Sequence, residues 1–283
     1  MLIAITRWPH WFNTFKLTVY LLLTANIGFF FIEELEGARD LLQSTFDLAL
    51  LLELFPATID TAAWVLLLLM FELETYQLDD AALTPKVEKL LMLIRIICVS
   101  FIVTAFVGYL LTLLTLFEAE SIAIGQLCEM SASGYSQMVD QDAFMSLTAQ
   151  DCQSLMTSAS GPLIAHDELR WFALMKDFEA VQWLAWVDVG NAAVWILVVA
   201  LLELDLQLSG SPYDSEQWRA ISRVFKVLAY TALVLFAVYW GFAGSFLDFE
   251  DAFLWIVAFV FIERNVVIWD KEREKTQSSG VIE

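Results

Sequence analysis

Histidine occurs only twice, as His10 and His166, and neither falls in a long apolar run. Haem held by paired histidines inside a helical bundle is therefore excluded. Zinc-protease spacings and glycine-rich phosphate loops are missing as well. His166-Asp167-Glu168 is a run of three polar neighbours, and three adjacent residues cannot face one point on a helix, so it reads as surface rather than as a metal site. Cations are scarce: 15 Lys and Arg stand against 35 Asp and Glu, for a net charge of −20. There is no basic stripe, which excludes nucleic acid as a partner. No seventh apolar run carries a lysine, which excludes a retinal protein. Cysteine is limited to Cys98, Cys128 and Cys152. No histidine or cysteine pair completes a four-ligand set around the last two. The sequence thus predicts no cofactor, no bound metal and no enzyme.

Apolar residues are abundant. They make up 59% of the 283 residues, with a mean hydropathy of +0.66. They gather in six runs, over 17–31, 62–71, 94–117, 192–202, 227–246 and 252–262. Each extends to roughly 20 residues, the length that crosses a bilayer as a helix. The expected fold is an all-α integral membrane protein with six transmembrane helices. Cations set the orientation, because they favour the cytoplasmic side. With the N-terminus inside, Arg7, Lys16, Lys86, Lys89, Arg95, Arg219, Arg223, Lys226, Arg264, Lys271, Arg273 and Lys275 are internal. Only Arg39, Arg170 and Lys176 are then external. Both termini are expected in the cytoplasm. The compact loops and the lack of sorting motifs point to a plasma membrane, most simply a bacterial inner membrane.

The chain divides accordingly. Residues 1–15 form an aromatic, interfacial N-terminal segment; 16–117 hold spans 1–3; 118–180 form an extracytoplasmic loop; 181–269 hold spans 4–6; and 270–283 form a charged tail. A further short outer helix is expected over 47–55, before Pro56. The outer loop is too long to be structureless, and two or three short helices are expected in it. Cys128 and Cys152 both lie there. In an oxidising compartment they are expected to form a disulfide, with Cys98 a small buried hydrophobe. Ten acidic residues between Glu118 and Glu179, against Arg170 and Lys176, give that loop a strongly negative surface. Such a surface is first a solvated face, and it also concentrates cations.

One pattern recurs inside the apolar runs. Asp60-x3-Trp64-x7-Glu72-x-Glu74 is repeated as Asn191-x3-Trp195-x7-Glu203-x-Asp205 and as Asp251-x3-Trp255-x7-Glu263-x-Asn265. The first two copies align with a shift of 131 residues, which also places Arg95 on Lys226. A weaker match sets Lys16-x3-Tyr20 against Lys226-x3-Tyr230. Internal two-helix repeats in parallel orientation follow, in two copies and, with span 6 and span 1, in a third. At 100° per residue, Asp60, Trp64 and Glu72 fall within an arc of about 120° and along about 18 Å of helix.

Three such faces turned together would stack an outer ring of Asp60, Asn191 and Asp251, a constriction of Trp64, Trp195 and Trp255, and an inner ring of Glu72, Glu203 and Glu263. Ionisable groups in hydrocarbon mark function by default. Carboxylate rings select cations, and an apolar ring gates by dewetting. The expected function is a cation or proton channel or transporter, with membrane lipids and cations as partners. In the competing reading the glutamates are structural ion pairs with Arg95, Lys226 and Arg264, while Glu74 and Asp205 sit among headgroups. The protein is then a scaffold or sensor, working through its outer loop with a second copy or a partner membrane protein.

Overall fold

The computed structural model describes residues 10–38, 55–73, 85–141, 144–158, 161–208, 215–243 and 246–279. The expected outer helix at 47–55, the interfacial residues before His10 and Glu74 lie outside or almost wholly outside these segments. The long helices are α1 (His10–Ala38), α2 (Pro56–Glu72) and α3 (Pro85–Leu116), followed after an intervening region by α6 (Met175–Leu208), α7 (Glu216–Ala243) and α8 (Phe246–Ser279). Between α3 and α6 lie β1 (Glu120–Ile122), α4 (Leu127–Ala132), β2 (Ser136–Met138), β3 (Phe144–Met145), α5 (Ala149–Ser158), β4 (Leu163–His166) and β5 (Trp171–Leu174).

The protein is mostly helical. Among the described residues, four helical segments are long and apolar enough to cross a membrane: Phe12–Ile32, Pro85–Leu116, Met175–Asp205 and Glu216–Ala243. The expected second and sixth spans are helices as well, α2 with 17 residues and α8 with 34. The four membrane-length segments mark a membrane protein. Their outward faces agree: Leu17, Leu21, Leu90, Met92, Val227, Leu228 and Leu235 are all more than half exposed. So many bare aliphatic side chains in regular helices suit hydrocarbon rather than water.

The chain forms two compact units, Met1–Ala105 with Val194–Glu283, and Phe106–Ala193. In the first, α1 packs on α2 and α8, and α7 packs on α8. Its core is Leu23, Leu67, Leu68, Phe71, Val198, Leu202, Leu233, Ala258, Phe259 and Ile262. The buried face of α7 runs Ser222, Ala229, Leu233, Ala237. Small residues at near-helical spacing let backbones approach closely, which is how helices associate where no hydrophobic force separates helix from lipid. The start of α2 is held from α1. Pro56 occupies the first turn without a side-chain cap of its own. Glu34 supplies the cap, accepting from the backbone N–H groups of Ala57 at 2.7 Å and Thr58 at 3.1 Å. A carboxylate there also complements the helix dipole.

The second unit corrects the all-α expectation. The region expected to be helical carries a five-stranded sheet in the order β1-β4-β5-β2-β3. β4 and β5 are an antiparallel hairpin, and β2 runs parallel to β5. Alternation splits the hairpin between two cores. Leu163, Ala165 and Phe172 pack with Leu127 and Cys152 of α4 and α5. Ile164, Trp171 and Ala173 pack with Leu113 and Leu116 of α3 and with Phe178, Val181 and Ala185 of α6. With both faces covered, the strands read as unbroken apolar runs, which periodicity cannot tell from helix. Of the two or three short helices expected, two are present among the described residues, α4 and α5. Gly134, at φ +87°, ends α4 in the left-handed conformation that a Cβ disfavours. Thr148 and Asp151 open α5 with a reciprocal cap: Asp151 Oδ2 accepts from Thr148 Oγ1 at 2.6 Å, and Thr148 Oγ1 accepts from the Asp151 N–H at 3.3 Å. The hydrogen bonds from Thr148 hold the Asp151 carboxyl below the usual aspartate range.

A candidate ion site in the helical unit

The three tryptophans meet. The Trp64 ring lies 6.1 Å from Trp195 and 6.2 Å from Trp255. Phe259 completes the cluster, 4.7 Å from Trp195 and 6.2 Å from both Trp64 and Trp255. Trp195, Trp255 and Phe259 are buried. Spans 2, 4 and 6, as numbered from the sequence, thus turn their indole positions toward one another. Tilted and edge-to-face rings at these separations suit the aromatic quadrupole and fill the space between the helices.

Asp60 and Asp251 lie one turn before Trp64 and Trp255, and each carboxylate is within hydrogen-bonding reach of the indole that follows it. That is the physical content of the Asp-x3-Trp spacing, since residues four apart share a helix face. The two carboxylates are near enough for their charges to interact. Asn26 of α1 donates to Asp251 Oδ1 at 2.7 Å and to Glu250 Oε2 at 3.1 Å. The Oδ1 atom of Asp60 is buried and makes no hydrogen bond among the described residues. Asn191 is half-buried on α6, four residues before Trp195, and belongs to the second unit.

The inner glutamates do not stand open to one another; each meets a cation. Glu72 is buried and paired with the equally buried Lys16, and it accepts from the Tyr20 hydroxyl at 3.2 Å. Glu203 lies 3.3 Å from Arg95 Nε, and the Arg95 guanidinium sits 5.5 Å from the Phe71 ring centre. Glu263 accepts from Lys226 Nζ at 2.9 Å. Lys226 also reaches Asp205 at 2.9 Å. Asp205 therefore joins a side-chain network rather than facing headgroups, and it accepts in addition from Trp218 Nε1 at 3.0 Å and Ser222 Oγ at 2.8 Å. Arg264, also expected as a partner, is exposed, and the three inner glutamates meet Lys16, Arg95 and Lys226.

Lys16, Arg95 and Lys226, which meet these three glutamates, are the positions that the internal alignment superposes. Lys16 and Asn26 were not among the expected site residues. Their signal was their type: a cation and an amide on one apolar helix are expensive unless paired.

In the second unit, Cys128 and Cys152 face each other with Cα atoms 5.4 Å apart, a distance that a disulfide spans. Cys98 is buried, as expected. His166 is buried rather than a surface residue; its Nδ1 accepts from the Leu169 N–H at 3.2 Å. No group of three or more potential metal ligands occurs among the described residues.

Comparison with known protein families, with curated proteins and with solved structures finds no match.

Proposed function

We propose that this is a six-span membrane protein that binds a cation or proton between Asp60 and Asp251 and passes it inward through the tryptophan layer. The observation that carries this reading is the pair of carboxylates lying against the tryptophan cluster, with one oxygen of Asp60 buried and unsatisfied. Two such groups inside hydrocarbon call for a proton, a metal cation or water. The packed Trp64, Trp195, Trp255 and Phe259 layer is then the closed gate, and it must part for an ion to pass. Beyond it, Glu72, Glu203 and Glu263 are the inner relay, each exchanging its cation for the ion. The outer unit, in this reading, is extracytoplasmic and tied by the Cys128–Cys152 disulfide, and both termini are cytoplasmic. Three copies of one helix-pair motif underlie the arrangement.

The test is flux into proteoliposomes, with a panel of alkali cations and with a pH-sensitive dye. Asp60→Asn and Asp251→Asn should each reduce flux about tenfold or more while leaving the protein folded. A wild-type protein that moves no ion, or variants with unaltered flux, would sink the reading.

A second reading has its own support. Paired glutamates are what a rigid scaffold needs, and here all three are paired. In that case the helical unit only anchors the outer one, and charge-neutral variants change stability but no flux.

A further inference from the structure

A second candidate site lies in the Phe106–Ala193 unit, at the outer end of α3. It is a pocket of about 510 Å3. Leu111, Leu116, Met138, Phe144, Trp171 and Val181 supply the apolar part of its wall, while Arg170 and Gln141 provide its most polar groups. Its volume falls within the range of small-ligand sites, and its wall is mixed, with Thr112, Thr115 and Ser136 beside the apolar residues.

Three observations define the occupant. The first is depth. Leu111 and Leu116 belong to the last two turns of a membrane-length helix. Phe117 follows directly and packs edge-on against Trp186 at 6.3 Å, and Trp183 and Trp186 are both more than half exposed. Exposed tryptophans at the end of a span mark the headgroup level, so the pocket opens where lipid headgroups lie. The second is charge. Arg170 is one of only two cations between Glu118 and Glu179. It holds a positive φ of 50°, costly for a residue with a Cβ, at the β4–β5 turn. Guanidinium is the side chain best shaped for phosphate. The third is an unmet acceptor: Gln141 Oε1 is buried without a hydrogen-bond partner among the described residues. It requires a donor.

We infer that this pocket binds one phospholipid of the outer leaflet, with its phosphate at Arg170, a hydrogen-bond donor of its headgroup at Gln141 and an acyl chain along Leu111, Leu116 and Phe144. The lipid is one whose headgroup carries a donor, such as a glycerol hydroxyl or a primary ammonium; a choline headgroup has none. Such a lipid would seat the outer unit on the membrane surface. The inference requires that the chain span a membrane and is independent of ion transport.

The experiment is native mass spectrometry of the detergent-purified full chain, titrated separately with phosphatidylglycerol, phosphatidylethanolamine and phosphatidylcholine, and with inorganic phosphate as competitor. One molecule of either of the first two should stay bound, and phosphatidylcholine should bind about tenfold more weakly. Arg170→Asn keeps a residue that tolerates positive φ, and it should weaken phosphatidylglycerol binding about tenfold. Gln141→Leu should erase the preference over phosphatidylcholine. Circular dichroism of both variants separates lost binding from lost fold. Equal binding of the three lipids by the wild type, unchanged binding by folded Arg170→Asn, or complete displacement of lipid by millimolar phosphate would each overturn the assignment.

Discussion

Lys16 sits within the first two turns of α1 with almost no exposure, and a buried ammonium is tolerated only beside a counter-charge. Glu72 is that counter-charge, with Tyr20 closing the other side of its carboxylate. Removing one partner leaves the other charged and dry. Glu72→Gln should therefore destabilise by about 3 kcal/mol or more, whereas replacing both with apolar residues of similar volume should recover most of that loss. Thermal unfolding in detergent of Glu72→Gln, Lys16→Met and the double variant checks this. A double variant as unstable as the sum of the singles would show that the two charges do not act as a pair. Arg95 and Lys226 are more exposed, with 28% and 13% of their side-chain surface accessible, so the same experiment at Glu203 should give a smaller loss than at Glu72.

Among the elements, the five-stranded sheet and its two short helices are those that a cross-link would steady most. β4 and β5 have four residues each, and β3 only two. Strands so short need a covering layer to persist. α4 and α5 provide it, with Leu127 and Cys152 fully packed beneath them. A bond between Cys128 and Cys152 closes a loop with a sequence separation of 24 residues. It should stabilise this region by roughly 3 kcal/mol in the chain-entropy model. Peptide mapping without reductant should find the two residues linked, and reduction should speed amide exchange in β4 and β5 while α1 and α2 stay protected. Free thiols at both positions in protein purified without reductant would reject the bond. The helices of the first unit need no such device. The small-residue face of α7 and a shared aliphatic and aromatic core hold them together.

For the whole molecule, sidedness is the property on which both functional readings rest. Twelve of the fifteen cations fall on one side of a six-span arrangement, which should place Gly134 outside and Ser211 inside. Reporter fusions at those two residues should give opposite signals, and identical signals would refute the orientation. Membrane character was legible in the sequence because it depends only on length and composition: a run of about 20 apolar residues has nowhere else to go. That Trp64, Trp195 and Trp255 hold the same place on three similar helix faces was legible too, because fixed spacing on a helix fixes a face; that these faces meet is decided in the structure. The five-stranded sheet was not legible. Its central strands β4 and β5 are apolar on both sides, and only their pairing partners distinguish them from short helices. The sequence offered Arg95, Lys226 and Arg264 as partners of the glutamates in the competing reading, but neither Lys16 nor which cation meets which glutamate. Glu72 and Lys16 are 56 positions apart, and what joins them is the packing of α1 against α2. Composition and periodicity act along the chain and so settle what each helix is and which side it buries. Which charge meets which is decided across the chain, by tertiary contact, because an ion pair inside an apolar bundle forms only where two separate helices bring its halves together.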